Sequence, residues 1–267
     1  MSVDSQFAGQ LPHCYERYLV PLLFGPYAQD LAARCAGLSP RQLLEIAAGT
    51  GVVTRQLAAG LPSARIVATD LNRDMLAVGL RAVHTPQVSW QVADAMQLPF
   101  GDAGFDLVVC QFGVMFFPDK RQAFAEARRV LMPGGRFLFN VWDTLEANEF
   151  AAEVQAAVAE LHPADPPGFF GRTPHGYHDL DAIARDLAAA GFASPPHIES
   201  VALRSQAANA LDVAAGFCLG TPLRLEIGAR GGDPATAAAF VASRLEQRFG
   251  KGPIGGAMRA HVISVVA

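Results

Sequence analysis

Leu43-Leu44-Glu45-Ile46-Ala47-Ala48-Gly49-Thr50-Gly51-Val52-Val53-Thr54 decides the fold of this 267-residue chain. An apolar run of strand character carries an acidic residue near its end. A turn of small residues with two glycines follows, and the chain then continues as a helix. That order is the layout of a nucleotide-cofactor loop at the carboxyl end of a first parallel strand. Small residues let a ligand approach the backbone, and the helix behind them offers N–H groups without intrahelical partners. A dinucleotide loop needs G-x-G-x-x-G to clamp a pyrophosphate, whereas Thr54 holds the third glycine position here. The spacing suits a ligand without a pyrophosphate.

Outward from this loop the elements alternate. Strands are predicted over 43–46, 65–69, 88–92, 105–110 and 136–142, and helices over 51–59, 72–83 and 120–131. Gly60, Pro62 and Pro133-Gly134-Gly135 supply the stops. Continuous apolar strands alternating with helices predict a parallel sheet covered on both faces. After Asp143 the rhythm changes to helices over 146–161 and 180–190, a strand over 197–205, a mostly helical stretch over 209–250 and a last strand over 261–267. Residues 4–38 read as one or two helices, interrupted at Pro21 and broken at Gly25-Pro26. The expected fold is α/β: a doubly wound, mostly parallel seven-stranded sheet of Rossmann-like type. Residues 1–40 are expected to form a helical lid and 41–143 the cofactor-binding core. Residues 144–267 would complete the sheet and carry helical insertions that cap the substrate.

Composition removes several classes of function. The hydrophobic fraction of 51% is ample for a buried core, and a net charge of −4 offers no concentrated basic surface for nucleic acid. The apolar runs 107–110 and 113–117 are far too short to cross a bilayer. Cys14, Cys35, Cys110 and Cys218 are scattered, with no CxxC and no histidine at ligand spacing, so they read as reduced thiols and no metal site is expected. The first residues lack the basic start and apolar core of a signal peptide, and a cytoplasmic protein is expected. Nothing in the sequence sets an oligomeric state.

Three further elements carry chemistry. Asp70 ends the second strand, where a carboxylate can accept two ribose hydroxyls; Asn72 stands ready to cap the helix that follows, which leaves Asp70 for the ligand. Asp94-Ala95-Met96 follows the third strand, where a carboxylate can accept from an adenine amino group while the next backbone N–H donates to the ring. The segment Phe105 to Asp119 leads from a buried strand into an aromatic loop at the same edge, with Gln111 its member most suited to face a ligand.

Together with Glu126-Ala127-Arg128-Arg129-Val130-Leu131-Met132-Pro133-Gly134-Gly135, these motifs make residues 40–143 resemble the class I S-adenosylmethionine-dependent methyltransferases, in particular the small-molecule branch of quinone-biosynthesis-type C-methyltransferases. The resemblance implies S-adenosyl-L-methionine as cofactor. Glu45 would orient the loop, Gly49 and Gly51 would let the methionine portion lie against the backbone, and Asp70 would hold the ribose. Leu71 and Met75 would flank the adenine, Asp94, Ala95 and Met96 would read its edge, and Gln111 would sit near the methionine end. The family usually has glycine where this chain has Ala47, which alters the approach there. Tyr18, with Tyr15, is placed to close over the cofactor.

Methyl transfer from a sulfonium is an in-line displacement that asks the protein mainly for positioning and exclusion of water. A base is needed where the acceptor loses a proton, and His175 and His178 beside Phe169-Phe170 are its candidates. Phe112, Phe116, Phe117, Phe169 and Phe170 point to a small apolar or aromatic acceptor. Two other readings compete. An NAD-dependent oxidoreductase is disfavoured by the loop spacing and by the absence of a tyrosine–lysine dyad. A non-catalytic S-adenosylmethionine-binding module would bind the cofactor without turnover.

Overall fold

The computed structural model describes residues 11–267, together with Asp4 and Gly9. Leu11–Cys14 (α1) is α-helical, Tyr15–Phe24 winds as a π-helix, and Gly25–Leu38 (α2) returns to α geometry. Neither Pro21 nor Gly25-Pro26 breaks the helical run, contrary to expectation. Proline has no N–H, and its ring crowds the preceding turn of an α-helix; the wider π turn relieves both problems, and the N–H of Gly25 donates to Val20 O, five residues back.

Strand β1 (Gln42–Ile46) leads through the loop to α3 (Val52–Gly60), β2 (Arg65–Asp70), α4 (Arg73–Ala82) and β3 (Val88–Val92). Then come β4 (Phe105–Gln111), α5 (Lys120–Val130), β5 (Leu131–Trp142), α6 (Glu149–Leu161), α7 (Phe169–Arg172) and α8 (Leu180–Ala189). The chain ends with β6 (His197–Ala207), α9 (Ala210–Leu219), α10 (Leu223–Ala229), α11 (Pro234–Phe249) and β7 (Ile254–Val266).

The seven strands form one sheet in the order β3-β2-β1-β4-β5-β7-β6. Leu44 lies level with Val67 of β2 and with Val108 of β4, and Val109 with Leu138 of β5, all in parallel pairs. β7 runs antiparallel to β5: the N–H of Gly134 bonds Ala267 O at 3.2 Å while that of Asp143 bonds Arg259 O at 3.1 Å. The doubly wound, mostly parallel seven-stranded sheet is the architecture expected. Its central strands are apolar on both faces because helices cover both, and Leu43, Leu44, Val108, Val109, Phe137 and Phe139 are buried. The order reverses between β1 and β4, which opens a crevice at their carboxyl ends.

β5 begins at Leu131, directly after α5, rather than at Arg136. Pro133-Gly134-Gly135 does not end the helix ahead of a loop; it forms an irregularity inside the strand, where the register jumps from Phe105↔Leu131 to Leu107↔Arg136 and Gly134 takes φ +79°. A strand admits proline and left-handed glycine at such a bulge, so the turn signal was real and its context was not a turn.

The chain divides into two compact units. One holds residues up to Pro26, Trp142–Gly176 and Val201–Ala260; the other holds Tyr27–Val141, Tyr177–Ser200 and His261–Ala267. Two of the junctions between the units fall at Pro26/Tyr27 and Val141/Trp142.

Candidate functional site

The site of the second unit is built around the loop after β1. Ala47, Gly49 and Gly51 have φ of +55°, +57° and +79°. These left-handed positions fold Ala47–Gly51 back so that Ala48 N–H donates to Thr69 O at 2.8 Å and Gly51 N–H to Ala48 O at 2.9 Å. Gly51 is also the N-cap of α3, so the helix starts at the loop. Ala47 adopts a conformation that glycine takes more cheaply. Its methyl group is accommodated because Gly113 opposes it: a Cβ on Gly113 would lie 2.6 Å from Ala47 Cβ and 2.7 Å from Cys110 Sγ. The methyl group present at 47 is matched by the one absent at 113.

Glu45 is 1% exposed. Its Oε2 accepts from Thr54 Oγ1 at 2.6 Å and its carbonyl from Thr69 Oγ1 at 2.9 Å, which ties β1 to α3 and β2. Burial pushes its carboxyl up to about 8, the nearby Asp70 carboxylate adds to the rise, and the Thr54 hydrogen bond and Arg55 pull the other way. Thr54, which replaces the third glycine, is therefore the partner of the buried acid.

Asp70 is half-buried at the end of β2. Its Oδ2 accepts from Gly49 N–H and its Oδ1 from Asn72 N–H, both at 2.8 Å, so the carboxylate pins the loop to the strand end. Burial raises its carboxyl, opposed by N–H donors from Asn72, Gly49 and Leu71. Asn72 caps α4 as expected, accepting from Asp74 N at 2.9 Å and Met75 N at 3.2 Å. Leu71 is an apolar side chain 42% exposed at the same strand end, suited to a flat ligand. Met75 is buried instead, with its Cε 3.4 Å from where a Gly49 Cβ would stand; it supports the loop from beneath.

After β3 the main chain of Ala93 donates to Asp70 O at 3.1 Å, bringing Asp94-Ala95-Met96 to the same edge. Asp94 Oδ1 accepts from Met96 N at 2.9 Å, which closes the turn. β4 delivers a part-buried Gln111, then Phe112 at φ +50°, whose N–H donates to Asn140 Oδ1 at 2.9 Å. Two buried polar atoms of this edge, Thr50 Oγ1 and Asn140 Nδ2, have no hydrogen-bond partner among the described residues. Buried groups of this kind call for a ligand or water.

Glu45, Ala47, Gly49, Gly51, Asp70, Leu71, Met75, Asp94, Ala95, Met96 and Gln111 thus share one unit. Tyr18 belongs to the other, where it lines a cavity of about 270 Å³ with Arg17, Pro21, Gln206 and Asp212 and carries the Arg17 guanidinium 4.9 Å above its ring. His175 is 5% exposed in that first unit, and its Nδ1 donates to the carbonyl of Asp143 at 2.8 Å; His178 lies across the unit boundary, half-buried. Of the five phenylalanines read as acceptor-facing, Phe112, Phe169 and Phe170 are buried in core contacts and only Phe116 and Phe117 are partly exposed. Among the described residues no group of three or more His, Cys, Asp or Glu is arranged to hold a metal, and no helix is long and apolar enough to cross a membrane. Asn140, Gly113 and Trp90 escaped sequence reading; the readable trace of Trp90 is Gly79, a glycine inside a helical pattern.

A carboxylate at the end of β2, a glycine turn after β1 and a polar turn after β3, all on one edge of a doubly wound sheet, define a nucleotide-cofactor-binding protein. A methyltransferase-domain family model matches residues 44–139. Demethylmenaquinone methyltransferase of Clavibacter sepedonicus is 32% identical over 172 residues, covering 61% of this chain and 69% of that protein. Demethylmenaquinone methyltransferase of Deinococcus radiodurans is 39% identical over 109 residues, covering 40% and 45%; the match spans about half the length of several such relatives. The fold is shared with phosphoethanolamine N-methyltransferase 2 of Haemonchus contortus, solved with S-adenosylhomocysteine, at a TM-score of 0.62 and 19% identity over 100% of this chain and 60% of that one. The chain belongs to the class I S-adenosylmethionine-dependent methyltransferases.

Proposed function

We propose that this protein moves the methyl group of S-adenosylmethionine to a small aromatic acceptor, a reading supported by relatives named demethylmenaquinone methyltransferase. When bound, the cofactor supplies a methyl group already activated on a sulfonium. The observation that carries the reading is the Asp70 carboxylate, which meets the Gly49 N–H, while the main-chain carbonyl of Asp70 accepts from Ala93, just before the Asp94 turn. Asp70 holds the ribose and keeps the loop folded. Gly49 and Gly51 give the methionine portion access to the backbone. Leu71 covers one face of the adenine, and Asp94 with the Ala95 N–H reads its edge.

His175 takes the proton that a phenolic or carbon acceptor must lose. Its Nδ1–H is committed to the Asp143 carbonyl, so Nε2 is the basic nitrogen of the ring. A row of rings supports an aromatic acceptor beside it: Trp142 lies 6.0 Å from His175, Phe24 6.1 Å from Trp142, and Tyr15 is stacked on Phe24 at 4.8 Å.

The test is calorimetry with S-adenosylhomocysteine and with NAD, followed by radiolabelled methyl transfer to a panel of quinols, simple phenols and charged amines. Binding of S-adenosylhomocysteine alone and labelling of a quinol or phenol are expected. Asp70→Ala should weaken binding by at least about tenfold through the lost charged hydrogen bonds. His175→Gln should keep the affinity and lose turnover by about a hundredfold. Binding without transfer to any acceptor would favour a non-catalytic module, and transfer only to amines would overturn the acceptor class.

A further inference from the structure

Gly79 sits in the interior of α4, where glycine costs about 1 kcal/mol relative to alanine. The space around it explains the choice. A Cβ at this position would lie 2.6 Å from Trp90 Cη2, 2.8 Å from Trp90 Cζ3 and 3.2 Å from the main-chain carbon of Thr50. Gly51, across the same gap, tells a matching story: its Cβ would lie 2.7 Å from Trp90 Cη2 and 3.4 Å from Gly79 Cα. The outer edge of one indole is therefore driven between a helix and the loop after β1, and only hydrogen fits on either side. The ring is held by shape, since its buried Nε1 finds no hydrogen-bond partner among the described residues.

Trp90 also stands on the strand that leads to the Asp94 turn. β3 pairs Trp90 with Ala68 and Val92 with Asp70, so the indole sits two residues before the level of the β2 carboxylate. One rigid side chain thus touches the loop and belongs to the strand feeding the turn after it.

We propose that Trp90 is a positioning residue for the cofactor: wedged between Gly51 and Gly79, its indole sets the height of the Thr50-Gly51 main chain relative to the Asp94 turn. The inference rests on the reading of Ala47–Gly51 as the cofactor loop. An indole displaced from this gap carries the loop with it, and a ring too short to fill the gap lets the loop sink.

The test is a double-mutant cycle read by calorimetry with S-adenosylhomocysteine, alongside thermal denaturation without ligand. Gly79→Ala inserts a methyl group where the indole stands and should weaken binding by about tenfold, while Trp90→Phe, whose ring is shorter, should weaken it several-fold; contacting pairs couple on this scale. In the double variant the new methyl group occupies the space the indole vacated, so the affinity should return to within about threefold of the parent, a non-additivity expected of residues that share this gap and not of independent sites. A merely structural wedge would lower the melting temperature and leave the affinity of the folded variants unchanged, and that result overturns the proposal. So does a double variant whose losses simply multiply. If Gly79→Ala fails to fold, Trp90→Phe alone still decides: a several-fold loss of affinity in the folded variant supports the proposal and an unchanged affinity overturns it. Failure of the parent protein itself to bind S-adenosylhomocysteine would instead refute the cofactor reading, so the two failures are separable.

Discussion

Glu45 binds the β1 end to α3 through Thr54, and it does so while holding a proton that an exposed carboxylate would have lost. Its folded value of about 8 lies above the ordinary 4.5 because burial disfavours the charge. Below about pH 4.5 both the folded and the unfolded chain hold the proton, and the group leaves stability unchanged. Between there and about pH 8 the unfolded chain releases it and the folded chain keeps it, so stability falls as pH rises. Glu45→Gln retains an acceptor for Thr54 and does not titrate. Urea unfolding from about pH 5 to 8 should show a shallower decline for the variant, with the larger gain at the alkaline end; superimposable slopes would contradict this. The pair Ala47 and Gly113 makes a second test at the same scale. Gly113→Ala should cost about 1–3 kcal/mol by overpacking, and Ala47→Gly in the same chain should recover only part of it, because the new methyl group still meets Cys110 Sγ. Chemical denaturation of the four proteins checks the coupling.

Among the elements, α4 has the most exacting position, since its first turn follows the Asp70 carboxylate that pins the loop and its interior glycine meets Trp90. Asn72→Ala removes the acceptor for the N–H groups of Asp74 and Met75 and should destabilise by about 1 kcal/mol, read as a lower urea midpoint at constant slope. Sequence reading recovered this helix, its cap and every strand of the parallel half, because apolar runs and turn residues encode period and punctuation locally. It placed Asp70, Asp94 and the loop on one edge because strand ends are readable from the same pattern. It could not find Asn140 or Gly113, whose roles depend on which strand lies beside which. It read Pro21 and Pro133-Gly134-Gly135 as breaks, because proline and glycine announce an irregular backbone without saying whether the chain meets it by turning, by widening a helix or by bulging a strand. The phenylalanines were legible as rings but not by burial: side-chain type does not say how deep a ring lies, and Phe112, Phe169 and Phe170 are buried.

At the scale of the whole molecule, the two units are not consecutive pieces of chain. The backbone passes from one to the other after Pro26, Val141, Gly176, Ser200 and Ala260. The unit that holds Asp70 and Asp94 needs α8 and the end of β7 as well as residues 27–141, so a fragment ending at 143 lacks part of its own core. The fragment 27–143, although it contains every residue proposed above to hold the cofactor except Tyr18, should give the dispersion-poor NMR spectrum of an unfolded chain and no binding of S-adenosylhomocysteine. A well-dispersed spectrum with retained binding would show that residues 27–141 suffice. Discontinuity of this kind raises the average sequence separation of contacts and slows folding relative to a chain of local contacts.

The bond from His175 to Asp143 has a bearing on how the proposed base is studied. Its acceptor is a main-chain oxygen, which every amino acid possesses. A saturation library at position 143 would therefore report only what the carboxylate does with Arg259 and the Thr144 N–H, and the imidazole's anchor would leave no mark in it. Heredity writes side chains, whereas this anchor is written in the course of the backbone. Exposing it calls for semisynthesis: an ester in place of the Thr144 amide weakens the Asp143 carbonyl as an acceptor and removes the Thr144 N–H, whose own share the library at 143 supplies for comparison.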